Sequence, residues 1–459
     1  MNTITLGEIE QATGGTLVSG QRSEKISAVC TDSRTAKQGA LFVPIVGEVH
    51  DAHKFLPQVK EKGCTAVLTA KEDAVPEGLS AILVSDTTKA LQKLSAWYLA
   101  GLGLKTVAVT GSVGKTSTRD MVHAILKEKY RTGATVGNFN NDIGVPLTIF
   151  SFDDTMEAAV LEIGMDHFGE IHRLVNIIRP DIGIITNVGI SHIENLGSRE
   201  GILSAKMEIT DYFGKDNTLV MNGSCDMLQK AKFDGTYQVM RVSLEKDQGD
   251  FIVKDIEDLG TEGVSFTLEA EGRDYPISLP VPGAHNALNA GLAIAACRKL
   301  DVSIEEAARG LASMELTGKR LSLREAGGIK VIDDTYNAAP DSMKSALNTL
   351  ANTKGQRKIA ILGGMNELGA DSASYHREIG AYAAEKNIDI LIAVGQKADD
   401  IALGAEKANT GTKVLFYDTK NRFYKEAMEL FKEGDTILVK GSRAMGMEQI
   451  VDKILKEQE

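Results

Sequence analysis

Cysteine is scarce in this chain of 459 residues: Cys30, Cys64, Cys225 and Cys297 are scattered, with no Cys-x-x-Cys pair among them. That spacing argues against a disulfide framework or a thiolate zinc site and leaves buried thiols in a reducing compartment as the expectation. No run of about 18 apolar residues is available to span a bilayer, and Met1 to Glu10 shows no basic stretch followed by an apolar one. A soluble, cytoplasmic and monomeric protein is expected. Cations are also in deficit, 51 Lys and Arg against 63 Asp and Glu, for a formal net charge of −12. A general nucleic-acid binder needs clustered cations, so that class is disfavoured, and an anionic ligand would require local compensation. Internal repeats and low-complexity tracts are lacking, which argues against solenoids and linkers.

What the chain does have is 43% apolar residues, ample for separate cores, and a length suited to about three domains. Residues 1–101 carry short strand-like runs at Ile26–Cys30, Gly39–Val46, Thr65–Thr69 and Ala81–Val84, and read as a small α/β domain. The pattern predicts a helix over Thr87–Leu99 and then a hinge at Gly101-Leu102-Gly103. Residues 102–315 alternate apolar runs (Thr106–Val109, Ala158–Ile163, Ile182–Thr186, Leu219–Met221) with helical patterns, the mark of a mainly parallel sheet covered by helices. An Ala-rich helix follows at Ala287–Leu300, and Thr317-Gly318-Lys319-Arg320 reads as the next connection. Residues 316–459 repeat the rhythm at Lys330–Ile332, Ile359–Leu362, Ile390–Val394 and Thr436–Val439, as a Rossmann-like unit would. The predicted fold class is α/β in three domains.

The most informative stretch runs from Val107 to Thr118: a strand, a glycine turn, Lys-Thr, then a helix. Gly111, Ser112, Val113, Gly114, Lys115, Thr116 and Ser117 have the makeup of a nucleotide phosphate cradle. Glycines let successive N–H groups aim inward, the helix start adds positive dipole, Lys115 supplies a point charge and Thr116 can hold Mg²⁺. The spacing is Gly-x-x-Gly-Lys-Thr rather than the longer Gly-x-x-x-x-Gly-Lys-Thr, because position 109 is Val. The alternative is a tight turn without a ligand; the flanking strand and helix favour ATP. Ala159-Val160-Leu161-Glu162 places an acid at the end of a buried strand, where it can face that loop across the sheet's carboxyl edge.

Several further blocks accompany the loop: Thr31-Asp32-Ser33-Arg34 with Gly47-Glu48 and Asp51-Ala52-His53, then Gly137 to Pro146, Asp333 to Ala338, Leu362 to Gly369, and Val439-Lys440-Gly441-Ser442-Arg443. Together with the loop they resemble the Mur ligases, ATP-dependent enzymes that add amino acids to the muramoyl nucleotide precursors of bacterial peptidoglycan, and the resemblance spans nearly the whole chain. Within that family they are most similar to the members that add a dipeptide. The chain departs from the pattern at Ala52, where Gly is common, at Ala339, where Asn is common, and at Gly364, where Asp is common. A relaxed preference for the incoming dipeptide is one consequence these departures leave open.

The resemblance implies an acyl phosphate route from UDP-MurNAc-tripeptide and D-Ala-D-Ala, with ATP and two Mg²⁺ ions. It implies a uridine-nucleotide role for the first domain and closure of the third over ATP and the dipeptide. By the same resemblance Glu162 and His192 ligate the second metal, and Lys206 carries a carbamate formed with CO₂. An ammonium would be repelled by Mg²⁺, whereas a carbamate offers anionic oxygens. Lys115 completes the implied catalytic set. Asn286 is implied at the adenine, Arg320 at the phosphates, Asp334 at the ribose hydroxyls or a phosphate-linked water, Ser33 and Arg34 at the uridine nucleotide, and Asn138 and Asn141 at the muramoyl substrate.

Simpler readings stand beside these. A lone histidine is more often structural, a helical lysine is more often solvated, Asn286 suits a helix cap, Arg320 and Asp334 suit surface ion pairs, and the Asn-rich loop suits turn chemistry. Rival functions are another amide ligase of the superfamily (the diaminopimelate- or lysine-adding enzyme, or folylpolyglutamate synthase) and a catalytically silent nucleotide-binding partner protein.

Overall fold

The computed structural model describes every residue except Glu48, Asp234, 315–319, Asn409 and Glu459. Glu48, most of the Thr317-to-Arg320 connection and the boundary at 315/316 therefore lie outside the described residues.

The first domain is built on a five-stranded sheet in the order Thr16–Ser19, Ser80–Leu83, Ala66–Thr69, Ala40–Phe42, Ala28–Cys30, parallel except for the Thr16–Ser19 edge. The expected strand Ile26–Cys30 divides at Ser27: Lys25–Ile26 pairs antiparallel with Ile4–Thr5 in a separate ribbon, while Ala28–Cys30 joins the main sheet. The run expected over Gly39–Val46 stops at Phe42, two residues before Pro44, which has no N–H to offer a ladder. Helix Leu6–Thr13 has a short apolar stripe, and its clearest sequence mark is the capping box between Thr5 and Glu8.

The expected hinge at residues 101–103 is instead the end of a helix. Thr87–Leu102 runs from an Asp86 cap through Gly101 and Leu102, and Gly103 terminates it in the left-handed region at φ 62°. The glycine there closes a helix rather than loosening a linker. A single core joins Leu68, Ile82 and Leu91 of the first domain to Val145, Leu161 and Leu174 of the second, and the Tyr98 hydroxyl donates to Phe152 O at 2.8 Å.

The central sheet has nine strands in the order Thr132–Ala134, Ala158–Glu162, Lys105–Thr110, Ile182–Ile185, Thr218–Asn222, Gln238–Ser243, Phe251–Asp258, Val264–Ala270, Arg273–Leu279. The first seven are parallel and the last two extend them as an antiparallel meander. Helices Lys115–Leu126 and His285–Arg298 pack together on one face of the parallel part. The third domain carries six strands in the order Ser322–Ala326, Ile329–Asp334, Asp435–Lys440, Arg357–Gly363, Ile390–Val394, Lys413–Tyr417, all parallel but the first. Apolar clusters cover both of its faces, as a doubly wound sheet requires. Among the described residues no helix is long and apolar enough to cross a membrane. Three cysteines are buried thiols as expected, but Cys225 is half-exposed, with its sulfur accepting from Val188 N.

Candidate active site

The site begins where the buried strand Lys105–Thr110 ends. Gly111 sits so close to the next strand's loop that a Cβ would lie 1.8 Å from Thr186 Oγ1, which leaves no room for any other residue. Gly114 adopts φ 86° and starts helix Lys115–Leu126, a conformation glycine takes at little cost. The loop is braced from the side by residues 186–189: Ser112 N donates to Asn187 O at 3.1 Å and Val113 N to Asn187 Oδ1 at 2.9 Å. Thr186 Oγ1 donates to Val113 O at 2.6 Å and Gly189 N to Ser112 Oγ at 2.9 Å. Lys115 folds back over the loop, and its Nζ donates to Gly111 O at 2.8 Å. Burial pushes that amine's pKa below the ordinary lysine range, with Glu162 nearby opposing the shift. A half-buried amine at the cleft wall whose hydrogen bonds go to loop carbonyls is well placed to receive a polyphosphate.

Glu162 ends strand Ala158–Glu162 and is 2% exposed. One carboxylate oxygen accepts from Thr116 Oγ1 at 2.7 Å and the other from Asn140 Nδ2 at 2.8 Å. Arg119 Nη1 lies 3.7 Å away, itself fully buried. A strand-end carboxylate beside a hydroxyl and a phosphate loop offers the hard oxygens that Mg²⁺ prefers, so the residues present fit a nucleotide with its divalent cation. Among the described residues no three His, Cys, Asp or Glu side chains form a ready metal cluster; the expected donors Thr116 and Lys206 belong to other residue types.

His192 follows strand Ile182–Ile185 and sits in the left-handed region at φ 64°. Its Nδ1 lies 2.7 Å from Glu367 Oε2 of the third domain and 3.1 Å from Asp166 Oδ1. Both oxygens flank the buried nitrogen off its N–H axis. The contact holds the Glu367 carboxyl below the usual carboxylate range. Lys206, on helix Arg199–Met207, is 2% exposed. Desolvation, then the Lys115 charge, drives its pKa well below normal.

Opposite the loop, the third domain closes a cleft of about 820 Å³. Asp334 is paired with Lys440 Nζ at 2.6 Å. Arg320 stacks over the Tyr336 ring, 4.3 Å from its centroid. Asn286 also lines the cleft, but its amide is engaged within the protein: Nδ2 donates to Pro282 O at 2.7 Å and Oδ1 accepts from Asn289. The cap position of its helix is Ala284, so Asn286 is not the cap. Asn141 lines the cleft while Oδ1 accepts from Gly144 N at 2.8 Å, and Asn138 is exposed. Ser33 and Arg34 stand apart in the first domain, where Arg34 pairs with Asp32 at 2.6 Å and Ser33 O accepts from Lys62 Nζ.

Asn187, Asn140, Arg119, Glu367 and Lys440 hold the site residues in place and were not among those singled out from sequence. Asn140, Glu367 and Lys440 lie inside the motif blocks read from the sequence, but their partners come from distant segments. Arg119 carried no signal of its own: its neighbours one turn away on the helix are Lys115, Thr116, Val122 and His123, a mixed face on which a charge does not stand out.

A phosphate loop, a strand-end carboxylate and a second α/β domain across one cleft define the class as an ATP-dependent ligase of the Mur type. Two family models match: Mur ligase middle domain over residues 109–297, and Mur ligase, glutamate ligase domain over residues 319–443. The chain is 39% identical to the UDP-N-acetylmuramoyl-tripeptide–D-alanyl-D-alanine ligase of Bacillus subtilis, covering 98% of each chain. Its fold matches the crystal structure of MurF from Acinetobacter baumannii with a TM-score of 0.91 at 31% identity, covering 99% of each chain. MurF from Thermotoga maritima in complex with ADP matches with a TM-score of 0.82 at 27% identity, covering 94% of this chain and 97% of that one. The chain belongs to the Mur ligases and, among them, to the UDP-N-acetylmuramoyl-tripeptide–D-alanyl-D-alanine ligase family.

Proposed function

We propose that this protein joins D-alanyl-D-alanine to the terminal carboxylate of a UDP-N-acetylmuramoyl tripeptide, using ATP with Mg²⁺, in peptidoglycan synthesis. The observation that carries the reading is that the Lys115 loop, Glu162 and His192 of the central domain face Arg320, Asp334 and Glu367 of the third across one cleft. ATP supplies the phosphoryl group that activates the carboxylate as an acyl phosphate, which the dipeptide's amine then attacks, and Mg²⁺ offsets the repulsion between the two anions.

The chain's own residues supply the rest. Lys115 leaves its carbonyl partners for phosphate oxygens, and the braced loop keeps its shape while doing so, because Asn187 and Thr186 hold it from outside the cradle. Thr116 and Glu162, whose oxygens lie side by side, would hold one ion. A second ion would be held by Glu162, His192 and Lys206. Burial, with Lys115 nearby and no anion against it among the described residues, favours the neutral amine of Lys206, the form that reacts with CO₂ to give a carbamate. Arg320 would sit against phosphate charge and Asp334 against the ribose, while Asn286 would bound the adenine. Ser33 and Arg34 would hold the uridine end, and Asn138 and Asn141 the muramoyl peptide. Closure of the third domain excludes water, the competing nucleophile.

Phosphate release with ATP and UDP-MurNAc-tripeptide tests the reading, with D-Ala-D-Ala compared against single amino acids and L-Ala-L-Ala. Turnover is expected with D-Ala-D-Ala and at most weakly with the others. Lys115→Ala should abolish it while leaving the fold intact by circular dichroism. Preference for a single amino acid would move the protein to another branch of the family, and nucleotide binding without turnover on any acceptor would make it a silent partner.

A further inference from the structure

Four Lys or Arg side chains line the cleft among the described residues: Lys115, Arg320, Lys440 and Arg443. The proposed function gives Lys115 and Arg320 to the phosphates. Lys440 is 2% exposed and already committed, its Nζ donating to Asp334 Oδ2 at 2.6 Å and to Asn337 O at 2.9 Å. Arg443 is left. Its guanidinium is held at one corner, where Nη1 donates to Glu448 Oε1 at 3.2 Å, and its side chain is 62% exposed. Nε and Nη2 have no partner among the described residues. That pair of donors is the edge with which Arg357 grips both oxygens of Asp435, at 2.7 and 2.6 Å, so the free edge has the shape a carboxylate needs.

The backbone under Arg443 is fixed. Arg443 N donates to Asn337 Oδ1 at 3.4 Å, Met445 N to Ser442 O at 2.8 Å, and Ser442 N to Gly364 O at 3.0 Å. Two neutral donors stand at the same corner. Ser442 is 3% exposed; its Oγ accepts from Asn366 N at 2.9 Å, and its hydroxyl hydrogen finds no acceptor among the described residues. Asn337 uses Oδ1 for Ala338 N and Arg443 N, which leaves Nδ2 unpaired there as well. All three side chains line the cleft from the third domain.

The acceptor in the proposed reaction carries one anion, the carboxylate remote from its amine. Six acids line the same cleft, so that carboxylate settles only where a cation stands unneutralised. We propose that Arg443 receives the carboxylate of the incoming dipeptide on its Nε and Nη2 edge, with Ser442 and Asn337 donating beside it. This rests on the ligase reading given under the proposed function. A single amino acid places its carboxylate nearer its amine by one residue, about 3.5 Å, so a receptor fixed on the third domain reads length as well as charge.

The test compares D-Ala-D-Ala with its C-terminal carboxamide in ATP-dependent phosphate release by the full-length protein, with circular dichroism confirming the fold of each variant. The parent is expected to favour the acid about 10- to 100-fold in kcat/KM, the range for hydrogen bonds to a charged group. In Arg443→Gln that preference should fall to within about threefold of unity, with the loss carried by KM for the dipeptide and KM for ATP unchanged. Arg443→Lys keeps the charge facing Glu448 but not the fork, and its preference should fall between the two. It carries the test should loss of that charge unfold the glutamine variant. Undiminished preference for the acid in either variant overturns the assignment. So does a rise in KM for ATP in place of KM for the dipeptide, which would give Arg443 to the nucleotide. If the parent turns over neither acceptor, the ligase reading itself fails, whereas equal turnover of both removes carboxylate recognition alone.

Discussion

Lys206 buries a long amine at 2% exposure with no carboxylate against it among the described residues. Desolvation, followed by the Lys115 charge, lowers its pKa well below 10.5, so the folded chain disfavours a proton that the unfolded chain keeps. Between the folded-state pKa and 10.5 the unfolded state binds more protons, and the protein therefore loses stability as pH falls through that window. Lys206→Met removes the penalty at similar volume. In CO₂-free buffer its Tm should exceed that of the parent, by more at pH 7 than near pH 10, while turnover is lost. A variant less stable than its parent at pH 7 would show that the amine is accommodated without cost. Glu162 was legible as a site residue because a lone acid closing an apolar strand stands out in any sequence. Asn140 and Glu367 were not legible in the same way: their roles come from which loop they meet, and that depends on packing between segments far apart in the chain.

At the scale of elements, the loop bearing Glu367 depends on helix Ser372–Glu385 through one histidine. His376 is fully buried; its Nδ1 donates to Ser372 O at 2.6 Å, and its Nε2 accepts from Met365 N at 2.8 Å. That second bond requires a neutral ring, and burial, opposed mainly by the Ser372 carbonyl, lowers the pKa below 6.5. The unfolded chain takes up a proton near pH 6.5 that the folded chain refuses, so the associated stability is complete above that pH and is lost as pH falls toward the folded-state value. Hydrogen exchange at the Met365 amide should accelerate over this range, and His376→Gln, whose side-chain oxygen can accept from the same N–H, should flatten the dependence. Exchange independent of pH, once corrected for intrinsic rates, would contradict it. The parallel strands were readable as apolar runs because both their faces are covered, as in Ile182–Ile185 and Ile390–Val394. In the meander, Val264–Ala270 alternates buried with half-exposed positions and Arg273–Leu279 buries only Ile277 and Leu279, so neither left such a run. Strand Lys25–Ile26 is two residues long and has no periodicity to read.

For the whole molecule, the first two domains share a core, whereas the third has a core of its own and, among the described residues, meets the second at places that include the following two. One is the cleft, where Ile190 packs on the third domain's core and His192 meets Glu367. The other is the turn Gly260–Glu262, where Lys354 Nζ donates to Glu262 Oε1 at 3.0 Å and a Cβ on Gly260 would lie 2.5 Å from Thr353 Cα. A bulky residue at Gly260 has nowhere to go except by pushing that contact apart, since the obstacle is backbone at the end of helix Pro340–Asn352. Gly260→Val is therefore expected to hold the third domain off the second. Nucleotide binding should survive, because the phosphate loop, Glu162 and their braces all belong to the central domain. Amide formation should fall, by up to about 100-fold if the reacting groups are displaced by an ångström. Water reaches an activated carboxylate more readily in an open cleft, so phosphate released per amide formed should rise above unity. Small-angle scattering should register a larger radius of gyration. The left-handed φ of 64° at Gly260 strains valine on its own account, and Gly272, at φ 75° with open space around its Cβ position, separates the two effects. Gly272→Val carries comparable backbone strain without the clash, and both its radius of gyration and its phosphate-to-amide ratio should match the parent. Were the two variants alike, the turn at Gly260 would have no part in setting closure.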